Sequence, residues 1–312
     1  MLKLLFKKFQ HIKKQKALES KLQAPSLLLF FPYIWSILFF LIPTILVIKI
    51  SLAKSFISLP PFTPLIQGIS DYFWGVYLYF GNYITLFTDS FYFSALLSSF
   101  VLAGSSTIIC LFIGYSMAYA VCRASKRVQI ILILLIVLPF VTSFLIRVYA
   151  WMSLLNSQGA LNVLLTKIGL ISAPIHFLDN NYVVCLVMVY CYLPFMIMPI
   201  YAALDKIENS LIEASLDLGA SQWQSFWHIT VPLSIPGVMA GCTLVFVPSL
   251  GEFVIPELIG GARTMTIGQT IWGEFFQNRD WPLACSIAVL MMCSFVFCAL
   301  LSKMKGVLLK NK

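Results

Sequence analysis

Six long apolar runs settle the class of this chain before any motif is read. They cover roughly 27–50, 91–121, 128–155, 181–204, 236–258 and 281–303. About 20 apolar residues suffice for a helix to cross the hydrocarbon core of a bilayer. A membrane β-barrel would instead show segments of about ten residues with alternating polarity, and these are absent. Of the 312 residues, 60% are hydrophobic and 11% charged, whereas soluble domains carry about a quarter charged residues. Too few polar side chains remain to coat a soluble surface. The reading is an all-α integral membrane protein with six transmembrane helices.

The formal net charge of +9 would suit a nucleic-acid binder, but its distribution suits a membrane. Lys3, Lys7, Lys8, Lys13, Lys14, Lys16 and Lys21 precede the first run. Arg123, Lys126 and Arg127 separate the second and third, and Lys303, Lys305, Lys310 and Lys312 follow the sixth. With six spans these segments share one side, which the positive-inside rule makes cytoplasmic, so both termini face the cytoplasm. No nucleic-acid partner is implied. The first run is longer than the 7–15 apolar residues of a signal peptide and lacks a small-residue cleavage site. It reads as a retained span behind a basic leader, 1–26. Residues 27–90 then hold the first span and an outer segment, 91–303 the core, and 304–312 a cytoplasmic tail. In the outer segment, LPPFTPL (59–65) and YFWGVYLYFGNY (72–83) suggest an ordered cap along the outer interface. The 8 cysteines contain no C-x-x-C pair and the 3 histidines are scattered, so small apolar packing rather than metal binding is expected.

The only long inward connection, 205–235, carries a stretch that looks soluble: EASLDLGASQWQSFWHITVPL, 213–233. Ser210 and Glu213 fit a capping box, and Gly219 suits the left-handed position that ends a helix. Ser221 and Gln224 offer a second box, whose helix should stop near Ile229, before Pro232. Trp223, Phe226 and Trp227 fall on one face at i, i+3, i+4 spacing. Such a face packs either on the ends of its own spans or into a groove on a partner.

The stretch resembles the cytoplasmic signature of binding-protein-dependent ABC importer permeases, E-A-A, three residues, G, nine residues, I-x-L-P. Here Glu213-Ala214-Ser215 precedes Gly219 and then Ile229-Thr230-Val231-Pro232, with Ser215 and Val231 departing from alanine and leucine. The resemblance implies the type I importer permease fold in a bacterial inner membrane, with the helix pair docking on an ATPase. Glu213, Ala214, Asp217, Gly219, Trp223, Phe226, Ile229 and Pro232 then form the coupling element. Glu213 is compatible with both a capping and a docking role. Asp217 is either a partner contact or a solvated acid. Further stretches, SFLIRVYAW (143–151), LPFMIMPIY (193–201), GEFVIPELIGG (251–261) and NRDWP (278–282), resemble the spermidine/putrescine branch of the family, over roughly 80–303. The basic leader and the PPFTP segment are most similar to its putrescine permeases.

Ionisable residues inside spans are functional hypotheses. With a fifth span starting near 236, Glu252 lies about 24 Å along it and Glu257 about 31 Å. Arg147 lies about 28 Å from the start of the third span and would snorkel outward. Glu252 either attracts a cation in the pathway or pairs with Arg147. Asp280 reads as orderer of the outer loop. Together Glu252, Glu257 and Asp280 are the candidate substrate-pathway residues. The chain has no G-x-x-x-x-G-K-[ST] loop, so it should bind no cofactor itself and leave ATP and Mg to a partner. The implied partners are an ATPase dimer, a homologous second permease and a periplasmic polyamine-binding protein. Competing readings are a secondary transporter for a small cation, or an importer of spermidine or another solute. The first would typically carry midspan charges and internal repeats, neither of which is clear.

Overall fold

In this computed structural model the described residues are 26–64, 66–70, 73–261 and 264–310. The basic leader expected over 1–26 falls, except for its last residue, outside them. Helix α1, Phe30–Ser51, is the first membrane-length helix among the described residues. Strands β1 (Ile66–Ser70) and β2 (Phe73–Val76) form an antiparallel hairpin, and the short α2 (Gly81–Thr88) follows. Then come α3 (Ser90–Arg123), α4 (Lys126–Val141), α5 (Phe144–Leu155) and α6 (Ala160–Lys167). Helices α7 (Asn181–Leu204), α8 (Asn209–Asp217) and α9 (Gln222–Leu250) lead to the outer α10 (Ile267–Trp272) and the last helix, α11 (Trp281–Lys310).

The expectation of six spans is not met. Among the described residues four helices are long and apolar enough to cross a membrane: α1, α3, α7 and α9. The count becomes five if α4 and the following Phe144–Lys167 segment, which meet at 89°, are taken as one span. The third apolar run breaks because Thr142 and Ser143 are both extended. Thr142 turns its amide and its hydroxyl back onto the Pro139 carbonyl, at 3.3 and 2.7 Å. In the sixth run, the last helix, Trp281–Lys310, contributes Trp281–Val296 as a shorter apolar stretch. The fifth is displaced: it starts at Gln222 rather than near 236 and stops at Leu250.

The core lies where α3, α7 and α9 cross. Lipid tails are as apolar as leucine, so helices in a bilayer associate through close approach and matched shape rather than water exclusion. Met196 on α7 is fully buried and fits between two glycines. A Cβ at Gly114 would lie 2.9 Å from Met196 Cγ, and one at Gly241 2.8 Å from its Sδ. Any larger residue would push α3 or α9 away. A second, smaller core joins Tyr92, Ala95 and Ala103 of α3 to Leu250, Ile267, Leu283 and Ile287. Helix α1 rides outside this bundle, packed on α11. Its outer end is tied by Asn82, which donates to the carbonyls of Ser51 and Ala53 at 2.9 and 2.8 Å.

Candidate functional site

The segment 205–235 forms a helix, a turn and a second helix, but not with the expected boundaries. Helix α8 begins after Glu208 and not at Ser210. Ser210 sits in the first turn, where its hydroxyl donates to Glu208 Oε2 at 3.2 Å, so the expected Ser210–Glu213 box is not formed. The turn follows the sequence reading. Gly219 has φ +89°, its amide donates to the Leu216 carbonyl at 2.9 Å, and the Ala220 amide donates to Ser215 at 3.0 Å. This is the Schellman arrangement, in which a left-handed residue turns the last amides back onto the helix. No atom crowds a Cβ there, so glycine is required by φ alone.

Ser221 and Gln224 complete the second box: the Ser221 amide donates to Gln224 Oε1 at 2.8 Å and the Gln224 amide to Ser221 Oγ at 3.2 Å. The helix so begun does not stop before Pro232. It passes through a π-turn, Phe226–Thr230, straight into the membrane-length part of α9. The wider turn accommodates a proline that lacks an amide donor. The second short helix is therefore the first two turns of a span.

The aromatic face divides between its own spans and solvent. Phe226 lies edge-on against Tyr115 and Tyr119 of α3, at 6.0 and 5.4 Å between centroids. Trp223 and Trp227 remain 69% and 51% exposed. Ser215, the departure from alanine, sits 2.9 Å from Ser225 Oγ and locks α8 to α9. A cavity of about 300 Å³ remains between them, walled by Tyr119, Ile212, Leu216 and Phe226. Glu213, Ala214 and Asp217 are exposed, Ile229 is half-buried and Pro232 exposed. At the root of the pair, Lys126 and Asp205 approach to 3.6 Å, and buried Gln129 donates to Tyr201 Oη at 2.8 Å. The result is a rigid hairpin with acidic and aromatic side chains turned outward.

At the opposite end of α9 the backbone is interrupted. Leu250 ends the helix and Glu252 lies in the gap before a short helical segment that includes the π-turn Pro256–Gly260. Glu252 is only 8% exposed. Its carboxylate accepts from Tyr192 Oη and from the amides of Val254 and Ile255, the latter two at 2.9 and 3.3 Å. It therefore caps the segment that follows it. Arg147 is not its ion-pair partner: among the described residues the ion pairs are Lys126–Asp205 and His176–Asp179. The Arg147 guanidinium instead lies over the rings of Phe140 and Phe144, at 4.8 and 5.8 Å.

Glu257 is exposed and accepts from Gln269 Nε2 at 2.8 Å. It lines an open cavity of about 470 Å³ that also exposes Phe91, Trp272 and Glu274. Asp280 is half-buried and accepts from the Leu283 amide at 3.1 Å, capping α11. Its own amide donates to the Glu274 carbonyl at 2.8 Å. Sequence reasoning missed two residues here. Tyr192 carries no signal among the many aromatic residues of the spans. Glu274 lies in no motif, yet Tyr92 and Asn278 both donate to it at 2.9 Å. Among the described residues no group of three or more His, Cys, Asp or Glu could hold a metal ion.

Residues 110–303 match the family model described as the binding-protein-dependent transport system inner membrane component. The chain is similar to the spermidine/putrescine transport system permease protein PotB of Haemophilus influenzae, 37% identical over 274 residues, covering 88% of this chain and 90% of that one. To the protein of the same name from Escherichia coli it is 35% identical over 256 residues, covering 82% and 88%. The chain thus belongs to the PotB-like, spermidine/putrescine family of ABC importer permeases, and it is a multi-pass inner-membrane protein. Its fold is also that of a solved bacterial ABC transporter involved in the import of the acidic polysaccharide alginate. There the TM-score is 0.65 at 20% identity, with 96% of this chain and 99% of the other covered.

Proposed function

We propose that this chain is half of the translocation pathway of an ATP-driven polyamine importer, with putrescine its foremost substrate. The observation that carries the reading is the hairpin at 213–232. It keeps the spacing of the family signature, its Schellman turn and capping box make it rigid, and it is fused without a break to a membrane-length helix. A push on Glu213, Ala214, Asp217, Trp223 and their neighbours is thereby transmitted along α9. Phe226 and Ile229 seat the hairpin on the bundle, Gly219 sets its turn, and Pro232 passes it into the span. A pair of ATPase subunits using ATP and Mg would supply that push. A homologous second permease would complete the pathway, and a periplasmic binding protein would deliver substrate.

Glu252, Glu257 and Asp280 are assigned to the outer pathway. Helix α9 has 29 residues, about 43 Å at 1.5 Å per residue, so these acids lie a membrane thickness from the hairpin. A protonated diamine suits carboxylates beside aromatic rings, through ion pairing and cation–π contact. Replacing Glu213 with lysine in the assembled complex tests the coupling assignment. Uptake should be abolished with the protein still in the membrane, and normal uptake would remove the role assigned to the hairpin.

A further inference from the structure

Two helices of this bundle are interrupted, and an ionisable residue stands at each interruption. Arg147 stands one turn beyond the break at Thr142–Ser143. Its Nε and Nη1 atoms are buried without a hydrogen-bond partner. Glu252 stands in the gap after Leu250, bonded to Tyr192 and to two backbone amides. A chain of rings links the two: the Arg147 guanidinium lies over Phe140, Phe140 is edge-on to Phe195 at 4.9 Å between centroids, and Phe195 is 6.3 Å from the Tyr192 ring that bonds Glu252, yet the two charges form no ion pair with each other. The elements that carry them touch: α5 contacts both α7 and the Pro256–Gly260 turn, which α7 contacts in turn.

Guanidinium N–H groups buried without a hydrogen-bond partner are costly, and ring faces offset only part of that cost. Hinges are commonly a few residues at the ends of elements, as at Thr142–Ser143 and after Leu250. Glu252 is satisfied in the state seen here, and the Arg147 N–H groups are not.

We propose that Arg147 and Glu252 are alternating partners. In the access state opposite to the one described, the bend at Thr142–Ser143 carries the guanidinium onto the carboxylate, and the Tyr192 hydroxyl is released. The pair then latches that state, and Glu252 acts on the outer pathway as a positioning residue of its gate. The inference rests on the reading of the chain as an alternating-access permease.

Its test is a state-dependent cross-link in the full reconstituted complex. Arg147→Cys and Glu252→Cys are combined in a Cys191→Ser background and treated with a bis-methanethiosulfonate reagent whose span matches an arginine–glutamate pair, since a direct disulfide needs Cα atoms within about 7 Å, once nucleotide-free and once trapped with vanadate. A cross-link in one condition and not the other is expected. A cross-link in both, or in neither, overturns the latch. A second measurement compares uptake by Arg147→Gln, Glu252→Gln and the double variant. Each single change should lower uptake about tenfold, within the range for coupled contacting residues, and the double variant should lose no more than the worse single one. Losses that multiply would mean independent roles and contradict the proposal. A wild-type complex that takes up no polyamine would contradict the functional reading, while the cross-link would still score the latch by itself.

Discussion

Helix α9 is built differently at its two ends. At the hairpin end it runs on unbroken, through a π-turn and past Pro232, into a capping box and a Schellman turn. At the outer end it stops at Leu250, and a buried carboxylate takes up the amides of the next segment. A continuous helix transmits displacement, whereas a break lets the two sides move apart. Under the proposed coupling role, force would be received at the continuous end and converted to a change of shape at the broken one.

The largest effect should come from the receiving surface. Glu213→Lys reverses a charge exposed for docking and should lower uptake roughly 30-fold or more, the scale of disrupted charge pairs at interfaces. Membrane abundance, measured alongside, should not change. Trp223→Ala removes an exposed aromatic of the kind that anchors interfaces and should weaken ATPase association by about 2 kcal/mol. A pull-down titration with the partner subunit reads this directly, and wild-type association would mean that Trp223 only faces lipid or solvent.

The same substitution at two glycines sharpens the comparison further. Gly219→Ala forces a Cβ into a left-handed backbone and should cost about 1 kcal/mol, seen as a lowered thermal midpoint of the purified complex. Gly251, at the broken end, has φ −90°, and a Cβ there would lie 3.9 Å from the Met291 methyl. Gly251→Ala should therefore leave the midpoint within about 0.5 kcal/mol of wild type, as surface substitutions away from special features do. A large loss at Gly251 would show that the break must flex through that residue.

Much of the hairpin was legible because its signals are local. Gly219 and the Ser221–Gln224 box depend on backbone geometry within four residues, and both occur as the spacing suggests. The Ser210 box failed because Glu208 precedes the helix and Ser210 falls inside its first turn. Where α9 starts was not legible, since a proline normally reads as a helix boundary and only the π-turn at Phe226–Thr230 removes that constraint. The third span's break was hidden for a similar reason. Thr142 and Ser143 are small polar residues of a kind that apolar helices tolerate by bonding their hydroxyls back to the helix, as Thr142 does here, so only their backbone angles show the bend. The outer site was half legible. Glu252 and Glu257 stand out as acids near apolar runs, but their partners Tyr192 and Gln269 lie 60 and 12 residues away in sequence. Such pairings are set by packing, which periodicity does not reveal.

The most direct test of the account is radiolabelled putrescine uptake by the complete reconstituted complex, with and without ATP, and with spermidine and unrelated cations as competitors. The account predicts uptake that requires ATP, is inhibited chiefly by putrescine, and is lost in Glu213→Lys. Uptake independent of ATP, in a complex shown to hydrolyse it, would contradict the assignment of the hairpin as the point where that energy enters.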